Sequence, residues 1–335
     1  LEFVVVRSFP RFVALVVLSG LAVAACSSAA SQPGKPGPVT LRVGDQNKTL
    51  QEPLDLSGQA NRTPYGVQWS NFLDGPHMNA AFTAGLIDFG FMGDTPALLA
   101  TAARADVVVV GAIRYQPNTI FQIAVKPGSS VKTLSDLRGR KVAFTEGTAL
   151  HGYLLQALDS VGLTQHDITP VNVPGASLVT TVQSGDADAA VLSSYVLTSY
   201  LASNGNASTL PAPFSSYTVL LATRKALSDP GKRQAVYDFV ARLAKAGRWV
   251  QANGDTFVQD YYVSYQHQTP AAAKQTFQRV GAPLYAAPNA EVIQHQQTQA
   301  RLLVGAGALP HGFNAADQFD PAATQAADKA TQGVS

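Results

Sequence analysis

From residue 41 onward, short apolar runs alternate with stretches of helical period. The runs at 41–44, 67–70, 87–92, 107–113, 120–126, 142–144, 168–173, 189–192 and 217–222 have the length and the β-branched or aromatic content of strands. Helical stretches separate most of them, so the pattern predicts α/β lobes with mainly parallel sheets and helices on both faces. Four valines followed by Gly-Ala-Ile make 107–113 apolar on both sides, as a strand covered on both faces must be. Beyond 222 the pattern shifts to long helices. Asp229 and Pro230 open one whose Val236, Phe239, Val240, Leu243 and Ala246 share a face, and others follow at 256–266, 270–279 and 290–304. Tyr261, Tyr262 and Tyr265 read as a helix face buried in the same lobe. There is no internal repeat of solenoid type.

The junctions between these elements carry the chemistry. Residues 69–96 read WSNFLDGPHMNAAFTAGLIDFGFMGDTP. Gly75 and Pro76 open a helix ahead of His77, and Gly85 closes it. After the apolar strand 87–92, Gly93 and Asp94 start a second helix whose first turn holds Thr95 and Pro96. Free backbone N–H groups at helix starts beyond the carboxyl ends of strands form an anion cradle. Three more such ends follow the same logic: Gln46 and Asn47 after the opening strand, Gly147, Thr148, Ala149 and His151 after 142–144, and Ser193, Ser194 and Tyr195 after 189–192. A helix terminus supplies about 0.3–1 kcal/mol and a charge-assisted hydrogen bond about 1.5–3, so a few together reach the ~8 kcal/mol of a micromolar ligand. Each residue also has a plainer role open to it. Asp94 and Thr148 can be helix caps, His77 and His151 can face solvent, and Tyr115 can be packing between lobes. Arg114, at a strand end, either meets the anion or bridges to Asp106 or Asp74.

The same segments carry a family resemblance. The WxxFxxGP, IDFG and GDTP elements of 69–96, LRVGDQ at 41–46, SDLRGRKVAF at 135–144 and EGTALHGYLLQAL at 146–158 resemble the substrate-binding proteins of ABC importers for aliphatic sulfonates, taurine and nitrate, over about 39–309. The resemblance implies a two-lobe periplasmic-binding-protein fold of type II with the ligand in the cleft between lobes. It implies a first lobe of 39–122 plus 221–335 and a second of 123–220, with the chain crossing at 121–125 and 219–223. It also implies an aliphatic sulfonate as ligand, with taurine, nitrate or a heterocyclic thiamine precursor as alternatives, and delivery to permease subunits by a monomer. The candidate contacts are Gln46, Asn47, Gly75, Pro76, His77, Gly93, Asp94, Thr95, Tyr115, Gly147, Thr148, Ala149, His151, Ser193, Ser194 and Tyr195. One departure stands out: many relatives carry Trp-Asp-Pro-Tyr where this chain has Ser193, Ser194 and Tyr195.

Composition and the first residues bound the rest. Of 335 residues, 46% are hydrophobic and 14% charged, which describes a folded chain, and a net charge of +2 gives no footprint for nucleic acid. Arg7 and Arg11 precede the apolar stretch 12–25, which ends in Ala24 and Ala25 in the form of a signal peptide spanning 1–25. VAAC at 23–26 resembles a lipobox, and the chain's single cysteine, Cys26, would take the lipid ahead of a Ser/Pro/Gly tether through 38. The expected location is the outer face of the cell membrane. An enzyme reading finds no GxSxG, HExxH or P-loop, and the six histidines are scattered singly, so neither catalysis, a metal nor a cofactor is expected. A tethered sensor on the same fold is the other class compatible with these features.

Overall fold

The structure, a computed structural model, describes residues 39–332 except 118, 213 and 215. The expected signal peptide, Cys26 and the tether lie outside the described residues. In chain order the first elements are β1 (Thr40–Asp45), α1 (Gln51–Leu56), β2 (Gly66–Asn71), α2 (Gly75–Thr83), β3 (Phe89–Gly93), α3 (Asp94–Ala102) and β4 (Val107–Pro117). Next come β5 (Phe121–Val125), β6 (Lys141–Phe144), α4 (Ala149–Asp159), β7 (Thr169–Asn172), α5 (Leu178–Ser184), β8 (Ala189–Ser193), α6 (Ser194–Ser203) and β9 (Ser208–Leu210). The chain then continues through β10 (Thr218–Thr223), α7 (Arg224–Ser228), α8 (Pro230–Ala252), α9 (Gly254–Phe257), a wide π-helical segment Val258–Tyr265, α10 (Pro270–Val280), β11 (Gly281–Ala286), α11 (Ala290–Gly305) and α12 (Pro321–Thr331).

Two sheets organise these elements into two lobes. The first has strand order β11-β4-β10-β3-β1-β2 and the second β7-β6-β8-β5-β9. Each is mixed rather than mainly parallel. The β-α-β stretches pair in parallel (β1 with β2 and β3, β6 with β7 and β8), whereas strands next to the crossings, β5 and β10, run antiparallel to their neighbours. A strand arriving from the other lobe enters its sheet from the cleft edge, which reverses its direction.

The valine run behaves as its two-sided apolarity requires. Val108 and Val110 face the α8 side with Phe239 and Val240, while Val107 and Val109 face Met78, Phe82 and Ala97 of α2 and α3. The second sheet is covered likewise, by Tyr153, Leu154 and Leu158 of α4 on one face and by Leu178, Val182, Leu197 and Tyr200 of α5 and α6 on the other. Each such large apolar side chain contributes about 1.5–3 kcal/mol by burial.

The strands expected to cross between lobes do not. Phe121 to Val125 pair wholly within the second sheet and Thr218 to Thr223 wholly within the first. Each strand therefore begins after the chain has already passed to its sheet. An apolar strand gains more from central pairing than a linker could, and the Pro-containing flanks QPNT and PAPFSS suit a link instead. Strand β11 was not expected at all. Pro283 disguises it, and Pro is tolerated because β11 is an edge strand.

The lobes also touch through helices. Leu155 of α4 shares a cluster with Leu98 of α3 and Leu303 of α11, and Arg301 meets Asp159 at 2.9 Å outside it. On the other side Arg279 at the end of α10 donates to the Thr198 hydroxyl of α6 at 2.6 Å.

Candidate functional site

The carboxyl ends of β1, β2 and β3 lead into α1, α2 and α3, and those of β6 and β8 into α4 and α6, so the helix starts of both lobes lie at the facing edges of the sheets. The structure sorts the candidate residues into two groups.

The first group lies where α2, α3 and α4 begin. A Cβ on Gly75 would sit 2.5 Å from Pro96, and one on Gly93 would sit 2.5 Å from the Cβ of Ala149, in the second lobe. Glycine at 75 and 93 is therefore what lets these helix starts approach. Their amides are largely consumed locally. In α3 the Asp94 N–H donates to Tyr217 O at 3.2 Å, the Thr95 N–H donates to Asp94 Oδ1 at 2.6 Å, and Pro96 has no N–H. In α2, Pro76 has none and His77 N–H donates to Asp74 at 3.0 Å. In α4 the Leu150 N–H donates to the Thr148 hydroxyl at 3.2 Å, and the hydroxyl itself donates to Thr145 O at 2.7 Å. Gly147, at φ +73, makes the left-handed turn just before.

Asp94 is 2% exposed. Its Oδ2 lies 2.8 Å from the His295 ring nitrogen and accepts from Gln299 Nε2 at 3.1 Å, both on α11. Thr95 is fully buried beside it, and a Cβ on Gly152 of α4 would sit 2.1 Å from its hydroxyl. His151 is buried too: Nε2 pairs with Gln165 at 2.7 Å, its ring stacks on Phe144 at 4.9 Å, and burial pushes its pKa down. It belongs to the interior of the second lobe. His77 is exposed and its ring rests on Asp74.

The second group surrounds the start of α6. Ser194 is buried with its hydroxyl donating to Thr119 O, whereas Ser193, the residue before the helix, makes no side-chain capping bond. Tyr195 projects from this helix start to within 5.9 Å, ring to ring, of Tyr262 in the other lobe. Gln46 and Asn47 close the same region. The Gln46 amide donates to Phe91 O at 3.2 Å, and Asn47, at φ +51, accepts from the Tyr261 hydroxyl at 2.9 Å through its carbonyl. Tyr115 is buried here at the end of β4.

Several residues of this region were passed over in the sequence. Tyr261 and Tyr262 read as core, Tyr285 lay in the unexpected strand, and Asp45 looked like the end of a strand. Burial raises the phenol pKa of Tyr115, Tyr261, Tyr262 and Tyr285, and pushes that of Tyr195 up to about 12. Tyr195 adds to the effect on the other four, and the Asp45 carboxylate adds to it on Tyr115, Tyr261 and Tyr285. Asp45 is itself pushed up to about 6 by burial, against the pull of the Gln51, Leu50 and Gln46 amides that it accepts. The Tyr285 hydroxyl is buried and has no hydrogen-bond partner.

Arg114 does not bridge to Asp106 or Asp74. It lies beside Tyr217, whose hydroxyl donates to Glu291, while Asp106 faces Arg224 and Asp74 faces His77. The arrangement offers amides, hydroxyls and aromatic walls, and among the described residues no cluster of His, Cys, Asp or Glu could hold a metal ion.

Comparisons with known proteins bear on the family and the fold. The family model described as ABC transporter, phosphonate, periplasmic substrate-binding protein matches residues 60–229, which include the starts of α2, α3, α4 and α6. The chain belongs to this family. Its members are solute-binding proteins rather than enzymes. A curated Escherichia coli K12 protein named for aliphatic sulfonate binding is 38% identical over 178 residues, 52% of this chain and 53% of its own length. The chain thus spans about half the length of that relative, and about a third of a curated Brucella abortus binding protein, 28% identical over 36% of this chain and 35% of its own. The crystal structure of the aliphatic sulphonate binding protein SsuA from E. coli superposes with a TM-score of 0.73 at 27% identity, covering 84% of this chain and 92% of that one. SsuA from Xanthomonas axonopodis pv. citri, solved with MOPS bound, gives 0.73 at 26% identity over 85% and 99%.

Proposed function

We propose that this chain is the extracytoplasmic solute-binding component of an ABC importer, and that it captures a small organosulfur anion, an aliphatic sulfonate, between its lobes for delivery to permease subunits. The observation that carries this is the meeting of the two lobes at the facing sheet edges beside the start of α6, which has no side-chain cap and whose Tyr195 reaches Tyr262 of the first lobe. Helix-start amides suit an oxyanion and leave it chemically unchanged. The sulfonate-binding names of the relatives point to the same ligand. Ligand contacts made by α4 and α6 favour the closed lobes, and the closed form is what the permease receives.

A thermal-shift series tests this reading, with alkanesulfonates, taurine, nitrate and sulfate added to the purified protein. A ligand at about 100 times its dissociation constant stabilises by about 2.7 kcal/mol, a shift of several degrees. An alkanesulfonate is expected to give that shift; none with any sulfonate would overturn the reading. Among the described residues no helix is long and apolar enough to cross a membrane. Attachment is assigned to lipid on Cys26, so Cys26→Ser should release the protein from washed membranes and abolish palmitate incorporation.

A further inference from the structure

The turn that follows β1 is held in a conformation its residues do not favour. Asn47 and Lys48 have left-handed backbone, at φ +51 and +53, and the other described non-glycines of that kind, Arg62, Arg104 and His267, stand singly. The turn closes where the Thr49 N–H and hydroxyl both donate to Gln46 O, at 3.0 and 2.7 Å. A turn with both central residues left-handed ordinarily takes glycine second, so Lys48 leaves it under strain. Strain of this kind persists only where the surroundings over-determine it.

Those surroundings are one segment, the eight-residue π-helix Val258–Tyr265. Long π-helical runs are rare and gather at functional places. The Tyr261 hydroxyl donates to Asn47 O at 2.9 Å and lies 3.4 Å from the Thr49 hydroxyl. The Tyr265 ring stacks against Tyr261 at 5.9 Å and carries the Lys48 ammonium 4.6 Å above it, with Glu52 3.9 Å from that ammonium. Tyr262, between them in the chain, meets Tyr195 of the second lobe. The turn itself is at the carboxyl end of β1, with Gln46 Nε2 donating to Phe91 O of the neighbouring β3 and Asn47 exposed. Resting on the sulfonate reading above, we infer that the π-helical segment braces this turn as a wall of the ligand site, and that Tyr261 is a positioning residue whose hydroxyl sets affinity by holding Asn47 and Lys48 left-handed. Tyr261 is 2% exposed and its hydroxyl is spent on the turn, so it acts through the turn and not on the ligand.

Two measurements on the full protein test the inference. Without ligand, amide hydrogen exchange at Thr49 is expected to be at least about tenfold faster in Tyr261→Phe than in wild type, because the turn opens once the hydroxyl is gone. Calorimetric titration of butanesulfonate is expected to show Tyr261→Phe weakening the ligand about tenfold in the wild-type background but less than about threefold in a Lys48→Gly background, since glycine keeps the turn without the brace. The ring contacts with Phe257 and Tyr262 remain in Tyr261→Phe, so the fold is kept. A direct contact between Tyr261 and the ligand, or a general loosening of the lobe, would give the same factor in both backgrounds and overturn the inference, as would unchanged exchange at Thr49. Failure of the wild-type protein to bind any sulfonate would instead remove the functional reading and the ligand part of this inference with it, while the exchange result still decides the brace.

Discussion

Two places in the molecule bring helix starts of one lobe against the other lobe, and they differ in what is left to donate. At the α3/α4 junction Gly93 and Ala149 are in contact, and the α3 amides are satisfied by Tyr217, satisfied by Asp94 or absent at Pro96. At the α6 start no side chain caps the helix, and only its first amide, that of Ser194, is taken, by Ile120 O at 2.7 Å. The first is a joint closed by side-chain caps, and the second is a helix start with no such cap. A helix start favours an anion in general, but the anion can be the protein's own.

The largest effect expected from this contrast is on stability. Asp94→Ala strands the His295 ring nitrogen, Gln299 Nε2 and the Thr95 N–H in a buried site, and should cost about 3 kcal/mol in urea unfolding. A loss below about 1 kcal/mol would return Asp94 to the cleft. Asp45 supplies the next test. Its folded pKa of about 6 lies above the ordinary carboxylate value, so the folded state binds the proton more tightly than the unfolded one. Its contribution is therefore most favourable below about pH 4, declines as pH rises toward about 6, and is flat above, a change of at most about 3 kcal/mol. The difference in unfolding free energy between wild type and Asp45→Asn, followed across that window, should show this slope; an opposite slope would mean that the carboxylate is held ionised.

Gly93→Val probes the joint itself. A Cβ there meets Ala149 at 2.5 Å, and the overpacking should cost roughly 1–3 kcal/mol. Small-angle scattering should show the lobes parted, and dimensions equal to wild type would show that the contact does not set the closed distance. The smallest effect belongs to Thr148→Ala, the loss of one cap worth about 1 kcal/mol with little change in sulfonate affinity. A large loss of affinity would place the head group at α4 and reverse the comparison.

The sequence made most of the architecture legible because its strands and helices differ in hydrophobic period, and the two-sided valine run was readable as a central strand. Strand β11 was hidden by Pro283, and the crossings were misplaced because β5 and β10 are apolar enough to be taken for the path between lobes. The helix starts themselves were also readable. Whether their amides were spent was not, since that depends on His295 and Gln299 arriving from α11 and on a rotamer of Asp94. An Asp at the first helical position was the available warning. The tyrosines escaped for another reason: Tyr115 and Tyr285 are brought to one pair of strands only by β4–β11 pairing, and Tyr195 meets Tyr262 only where the lobes touch.

The most direct test is a crystal structure of the protein with an alkanesulfonate, using long-wavelength anomalous scattering to locate the ligand sulfur. A peak between the lobes beside the uncapped start of α6 is expected. A peak at the α3/α4 junction, against Gly93 and Ala149, would contradict the assignment.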